Sequence, residues 1–138
     1  MADEKKQKYL EFKSLEQQLQ QLQEQSQILQ QQITELMQLS NALDDFSVVK
    51  KNAPMFVTLG NGVYAQAELK ETQKVLLMVG AGVAVSKTIP EAKSTIEKQV
   101  AELQDLFQTV HEQTERYLAR AQELQKELTA GNEQEKKN

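Results

Sequence analysis

Two stretches, "LGNGVYAQ" at 59–66 and "VGAGVAVS" at 79–86, carry one pattern twice: an apolar residue, Gly, X, Gly, Val, and then residues suited to a strand. The chain has only five glycines in 138 residues, and four of them, Gly60, Gly62, Gly80 and Gly82, belong to these motifs. Around them the side-chain period is two. "MFVTL" at 55–59 and "VYAQAEL" at 63–69 are strand-like, and Val63, Ala65, Ala67 and Leu69 share one face. "KVLLMV" at 74–79 is apolar on both faces, and "VAVSKTI" at 83–89 sets Val83, Val85 and Ile89 opposite Ala84 and Ser86. Each G-X-G therefore lies between two strands, where positive φ is needed and Gly, or Asn as at 61, is comfortable. The spacing predicts two β-hairpins over 54–89, with "KETQ" at 70–73 as the turn between them.

The same glycines resemble a dinucleotide fingerprint, Gly60-X-Gly62-X-X-Ala65 and Gly80-X-Gly82-X-X-Val85. That chemistry needs a helix directly after the glycines, so that a pyrophosphate meets its N-terminus. Val63 and Val83 open strands instead, so the hairpin reading is preferred and no nucleotide cofactor is expected.

Outward from the hairpins the period changes to 3.5. Counting in alternating threes and fours from Phe12 gives Leu15, Leu19, Leu22, Ser26, Leu29, Ile33, Leu36, Ser40 and Leu43. From Ile96 the same count gives Val100, Leu103, Phe107, Val110, Thr114, Tyr117, Ala121, Leu124 and Leu128. A narrow seam held this long requires a partner helix. Each seam runs for about 32 residues, roughly 48 Å of helix. Equal lengths around a compact middle predict an antiparallel coiled coil, with Leu43 near Ile96 and Phe12 near Leu128. A parallel homodimer would leave the middle as a long interruption. The expected helices are 5–45 and 90–130 in one domain of 138 residues, followed by a polar tail over 131–138. Thr88 and Glu91 have capping-box spacing with Pro90 in the first turn, although Pro90 disfavours helical geometry at Ile89 and would allow a cap one residue later. Gly131 suits a C-cap. The Gln-rich run "QQLQQLQEQSQILQQQ" is read as a solvated helix surface, because Leu recurs within it at heptad spacing.

Composition sets the outer bounds. Aromatic residues are 5% and charged residues 26%, in keeping with long helices rather than an ordinary globular core. A net charge of −4 argues against a nucleic-acid partner, which needs a clustered basic face. There is no cysteine, and the start "MADEKKQKYLEF" has no apolar signal region. The longest apolar run, Val75 to Val85, is too short for a membrane helix. A cytoplasmic protein with no membrane partner is expected.

Chemistry-bearing constellations are scarce. His111, the only histidine, occupies a rim position of the coiled coil and lacks further ligands at metal spacing. Asp44 and Asp45 precede the linker "FSVVKKNAP" and are read as ending a helix rather than as an acid/base pair. Ser26 and Ser40 are seam positions with no base to activate them, where a polar residue sets register. No enzyme, no catalytic residue and no metal site are expected.

The hairpins carry more functional information. Strand 74–79 has Val75, Leu77 and Val79 on one side and Leu76 and Met78 on the other. A sheet of this kind on a single coiled-coil base has apolar faces and open edges that invite other subunits. The alternative is a sheet that wraps the base of its own coiled coil.

Heptad arm, two G-X-G hairpins and heptad arm, in that order, resemble the prefoldin family, specifically its α-type subunits and above all those of archaea. The resemblance is sharpest in "AELKETQKVLLMVGAGVAVSKTIPEAKSTI" at 67–96. The chain departs from the family pattern at Thr58, where Pro is frequent, and at Ala84 and Ser86, where an aromatic and an acid are frequent. The resemblance implies a mainly α fold with a small β part, an antiparallel two-helix coiled coil joined by two β-hairpins that form an intersubunit β-barrel platform. It implies an ATP-independent co-chaperone in a hexamer of two α-type and four β-type subunits, the second α-type subunit included. Unfolded proteins are held at the coiled-coil tips and passed to a group II chaperonin. Assembly is then expected to rest on Phe56, Val57, Leu59, Gly60, Gly62, Val63, Val75, Leu76, Leu77, Met78, Val79, Gly80, Gly82, Val83 and Val85. Client binding is expected at Tyr9, Leu10, Phe12, Leu15, Tyr117, Leu118, Ala121, Leu124 and Leu128. Tyr9, Leu10 and Leu118 lie outside the seam, whereas Phe12, Leu124 and Leu128 also serve to finish it. A different class of function, a structural coiled-coil adaptor or tether without chaperone activity, predicts stable docking to one folded partner.

Overall fold

The computed structural model describes residues 2–137, with side chains described through 131. The elements follow in the order α1 (Ala2–Ser47), β1 (Pro54–Gly60), β2 (Val63–Glu68), β3 (Lys74–Gly80), β4 (Val83–Thr88) and α2 (Ile89–Lys137). Two compact units divide the chain, one of residues 1–33 with 103–138 and the other of residues 34–102. Both helices contribute to each.

The first unit is a helical pair. Its core comes from the seam: Leu15, Ala121 and Leu124 form one buried cluster, flanked by Phe12, Leu19 and Tyr117. Leu22, Leu29 and Val110 form another, flanked by Leu103, Phe107 and Tyr117. From residue 9 to 33, every seam position is buried or half-buried and every other residue is exposed. In α2 the same holds from 103 to 128, with half-buried Arg120 as the one addition. Burial of each such leucine contributes about 1.5–3 kcal/mol, which the polar outer faces cannot supply. Thr114 tolerates its seam position because its hydroxyl donates to the Val110 carbonyl at 2.8 Å.

In the second unit, Leu43, Ile89, Ala92 and Ile96 make a core, with Leu36, Phe46, Val75 and Val100 against it. Thr88 is the cap of α2: its Oγ1 accepts the Glu91 N–H at 3.3 Å. Ile89 is thus the first helical residue, Pro90 notwithstanding. The Ile89 N–H donates to the Gln73 carbonyl at 3.3 Å and ties the helix start to the turn before β3. Lys93 pairs with Asp44.

The strands form two separate hairpins, β1 with β2 and β3 with β4, both antiparallel. Their registers match: Val57 faces Ala65 and Leu77 faces Val85, and both shift by a bulge just before Gly60 and Gly80. The two-residue loops Asn61-Gly62 and Ala81-Gly82 have positive φ throughout, 48° and 79° in the first and 51° and 74° in the second. This is the mirror-image turn that suits the twist of paired strands. Its second use, with Ala81 in the left-handed region, is costlier than its first.

Two helix ends differ from expectation. Asp44 and Asp45 do not end α1, which continues to Ser47. Phe46 packs on the core of the second unit, and that contact holds the two added residues in the helix. Likewise α2 does not stop at Gly131 but runs to Lys137. Gly131 is absent from the positive-φ glycines. A mid-helix glycine costs roughly 1 kcal/mol against Ala, and the Gln, Glu and Lys residues that follow are good helix formers. The polar segment expected over 131–138 is therefore helical through 137, and Asn138 lies outside the described residues.

Candidate functional site

Two exposed apolar surfaces stand out, one in each unit. In the helical pair, the chain ends frame a groove of about 570 Å³ lined by Ala2, Lys5, Lys6, Tyr9, Phe12, Gln125, Leu128 and Thr129. The heptad count explains why it is open. Stepping back from Phe12 by four and then three reaches Lys8 and Lys5, both half-buried, and stepping on from Leu128 by three reaches Gly131. Two lysines and a glycine in seam positions leave these turns without apolar knobs, and Tyr9, Phe12 and Leu128 line the groove. Lys5 and Lys8 were missed because the count along the sequence stops at its last apolar residue, yet the same count carried further finds both.

Beside the groove, ion pairs of Arg120 with Glu11 and of Lys8 with Glu127 join the two helices. Arg120 Nε donates to Glu11 Oε1 at 2.9 Å and Arg120 Nη1 lies 3.2 Å from Glu123. Lys8 Nζ lies 3.1 Å from Glu127. The Arg120 hydrogen bond holds the Glu11 carboxyl below its ordinary pKa, and Glu11 in turn raises that of Arg120. Lys13 Nζ stands 5.4 Å from the centre of the Tyr9 ring, a cation–π contact one turn along α1.

The expected client residues fall into three groups. Tyr9, Leu10 and Leu118 are exposed; Phe12, Tyr117 and Leu128 are half-buried. Leu15, Ala121 and Leu124 are buried, Leu124 completely, and form the packed layer at the cluster that Phe12 flanks. Among the nine, the groove brings together Tyr9, Phe12 and Leu128.

In the second unit the hairpins expose most of their apolar residues. Phe56 is 73% accessible and Leu76 75%. Leu59, Val63, Met78, Val79 and Val83 are exposed as well, Val57 and Val85 less so. Phe56 and Tyr64 project from one face of the first hairpin and line a recess of about 410 Å³. Leu76 and Met78 project from one face of the second, across from Ser86 and Ala84. Of the residues expected to serve assembly, only Val75 and Leu77 are half-buried, and Val75 packs on the unit's own core. An added Cβ would meet open space at Gly60, Gly62, Gly80 and Gly82. These glycines are required by backbone conformation, and a strand follows each pair, so the arrangement is a turn and not a phosphate cradle.

Among the described residues no three of His, Cys, Asp and Glu converge as a metal site. His111 Nε2 lies 3.2 Å from Glu115, an ordinary one-turn surface pair. No described helix is long and apolar enough to cross a membrane.

Comparison with known proteins bears on the family and the fold. A family model described as "Prefoldin subunit" matches residues 15–134. Prefoldin subunit alpha of Methanobrevibacter smithii is 36% identical over 84 residues, which span 61% of this chain and 57% of that protein. Prefoldin subunit alpha of Archaeoglobus fulgidus is 28% identical over 124 residues, spanning 85% of this chain and 90% of that one. In a solved structure of filamentous PFD from Methanocaldococcus jannaschii, one chain superposes with a TM-score of 0.77 at 18% identity, covering 86% of this chain and 98% of its own. At that identity the match speaks for the fold: two long helices joined by two antiparallel hairpins.

Proposed function

The chain belongs to the prefoldin family, and we propose that it is an α-type co-chaperone subunit that holds unfolded chains at the end of its helical pair. The observation that carries this is the open groove around Tyr9, Phe12 and Leu128 at the end of the helical pair. It needs no nucleotide and performs no bond-breaking chemistry. Tyr9, Leu10, Phe12, Leu118 and Leu128 make the contact surface, while Leu15, Ala121 and Leu124 pack beneath it. Tyr117 spans the two core clusters and supports them. One shallow groove binds weakly, and several on one assembly multiply affinity by raising effective concentration.

The hairpins serve assembly. Their exposed faces and four strand edges fit partners with matching strands, namely β-type subunits and a second α-type subunit, in a hexamer of two α and four β. The β-barrel closes between chains, since each hairpin here is a separate two-stranded sheet. The assembled complex works in the cytoplasm and passes its clients to a group II chaperonin.

The test is aggregation of a chemically denatured protein diluted into buffer with the assembled complex and no nucleotide. A complex whose α-type chain lacks residues 1–15 and 118–138 is run beside it, together with the gentler Tyr9→Ser and Leu118→Ser variants. Suppression by the intact complex that weakens in all of these supports the reading. Suppression unchanged by every variant moves the client site to other subunits, and no suppression by the intact complex refutes the chaperone reading in favour of a tether.

A further inference from the structure

Asn61 is the one asparagine of the chain that a glycine follows. It stands exposed at the tip of the first hairpin with φ of 48°, and Gly62 after it has φ of 79°. A Cβ built on Gly62 would meet nothing within 4 Å. Among the described residues, neither the Asn61 side chain nor the Gly62 N–H has a hydrogen-bond partner. Leu59 and Val63, on either side of the turn, are 70% and 55% accessible, so no packing closes over it. The other asparagines with described side chains are placed differently. Asn41 lies within α1, and Asn52 precedes Ala53, whose N–H donates to the Lys50 carbonyl at 3.1 Å.

An asparagine side-chain amide can close a cyclic imide with the backbone nitrogen of the next residue, and only a glycine there leaves that approach unhindered. We propose that Asn61 is a self-modifying site. The Gly62 nitrogen gives up its proton and attacks the Asn61 side-chain carbonyl carbon, the bond from that carbon to the amide nitrogen breaks, and ammonia leaves. Water then opens the imide at either carbonyl to give aspartate or isoaspartate, so the net change is water taken up and ammonia released, with no oxidation and no cofactor. The imide ring holds ψ outside the left-handed region, and attack therefore follows a brief opening of the turn. Aspartate enters the left-handed region as asparagine does and keeps the turn. Isoaspartate routes the main chain through the side-chain methylene and lengthens the loop that sets Gly60 against Val63 and Thr58 against Tyr64. Resting on the reading that the hairpins serve assembly, the isoaspartyl chain loses the register of its first hairpin and with it its place in the complex. Ala81, at the matching position of the second hairpin, has no amide to lose.

The experiment incubates the full-length chain, alone and in its assembled complex, at mildly alkaline pH. Each asparagine is followed by mass spectrometry of its peptide, and isoaspartate is read by enzymatic methylation. Deamidation is expected first at Asn61, and faster as pH rises, because the attacking nitrogen must lose its proton. In the assembled complex it should run about tenfold slower, equivalent to about 1.4 kcal/mol added to the opening of the turn. The aged chain should lose assembled mass in light scattering, Asn61→Gly should keep it, and Ala81→Asn should add a second reactive site. Asn61 no more reactive than Asn41 and Asn52 overturns the proposal. Equal loss of assembly in aged Asn61→Gly overturns the isoaspartyl effect. Unchanged mass in fresh Phe56→Ser with Leu76→Ser overturns the assembly reading instead and leaves the modification at Asn61 standing.

Discussion

Asn61 and Ala81 occupy the same place in two turns of nearly identical backbone, with φ of 48° and 51°. Both precede a glycine at positive φ, and both strand pairs resume at the next residue, Gly60 with Val63 and Gly80 with Val83. The left-handed region costs an ordinary L-residue about 1–2 kcal/mol, while Asn enters it readily. Ala81 is exposed, so a longer side chain there meets solvent and alters no packing. Ala81→Asn is therefore expected to stabilise the second hairpin by about 1 kcal/mol, and Asn61→Ala to destabilise the first by a similar amount. Ala81→Gly should gain less, since glycine also loosens the unfolded chain. The assay is chemical denaturation of the assembled complex at fixed subunit concentration, because assembly shifts apparent stability by mass action. Neutrality of Ala81→Asn beside a clear loss in Asn61→Ala would refute the reasoning, for it would mean that Asn61 acts through a specific contact and not through its conformational tolerance.

Other outcomes follow from the same contacts. Leu124→Ala, at a completely buried site, should cost about 2–5 kcal/mol in thermal or chemical unfolding, whereas exposed Leu118→Ser should leave stability within about 0.5 kcal/mol and lower aggregation suppression. Thr88→Ala removes the acceptor for the Glu91 N–H and should destabilise by about 1 kcal/mol, read from the same denaturation curve. Glu11 has its pKa depressed by Arg120, so its contribution is present above the unfolded-state value and is lost as pH falls through the lower folded value. Melting of the helical pair should accordingly weaken on acidification below the ordinary glutamate range, and Arg120→Ala should flatten that part of the pH profile. Phe56→Ser with Leu76→Ser should leave helix content intact and lower the assembled mass measured by light scattering.

The seams were legible in the sequence because one physical rule, burial of a narrow apolar stripe, governs them from end to end. Every position counted from Phe12 to Leu43 and from Ile96 to Leu128 is buried or half-buried. The hairpins were legible for a second reason: four glycines stand where only positive φ closes the turn. What escaped lies where two tendencies compete. Asp44 and Asp45 look like a helix stop, but Phe46 carries the helix two residues further by packing on the core that includes Leu43. Gly131 looks like a cap, but the helix formers after it carry α2 onward. Lys5 and Lys8 obey the heptad while breaking its chemistry, so an apolar count passes over the residues that open the groove. Leu15, Ala121 and Leu124 satisfy the seam and a client surface equally well on paper, and only their burial separates them from Tyr9 and Leu118.

On the proposed reading the two apolar surfaces of this chain serve different ends, and the reason lies in their backbones. The hairpins offer unpaired strand edges together with exposed Phe56, Leu76 and Met78. Main-chain hydrogen bonds along an edge demand a strand in one register, so a partner that satisfies both edge and side chains stays. Helices satisfy their backbone internally, and the groove can offer only side chains: a few apolar ones, and lysines on flexible stems. On the proposed reading, such a surface asks of its occupant composition rather than conformation, and it would hold an extended segment without fixing its register. Permanent assembly and transient holding thus divide along the line between strand edge and helix surface. A variant that placed a strand edge at the groove would be expected to trap its clients, and one that replaced the hairpins by helix would be expected to lose its subunits.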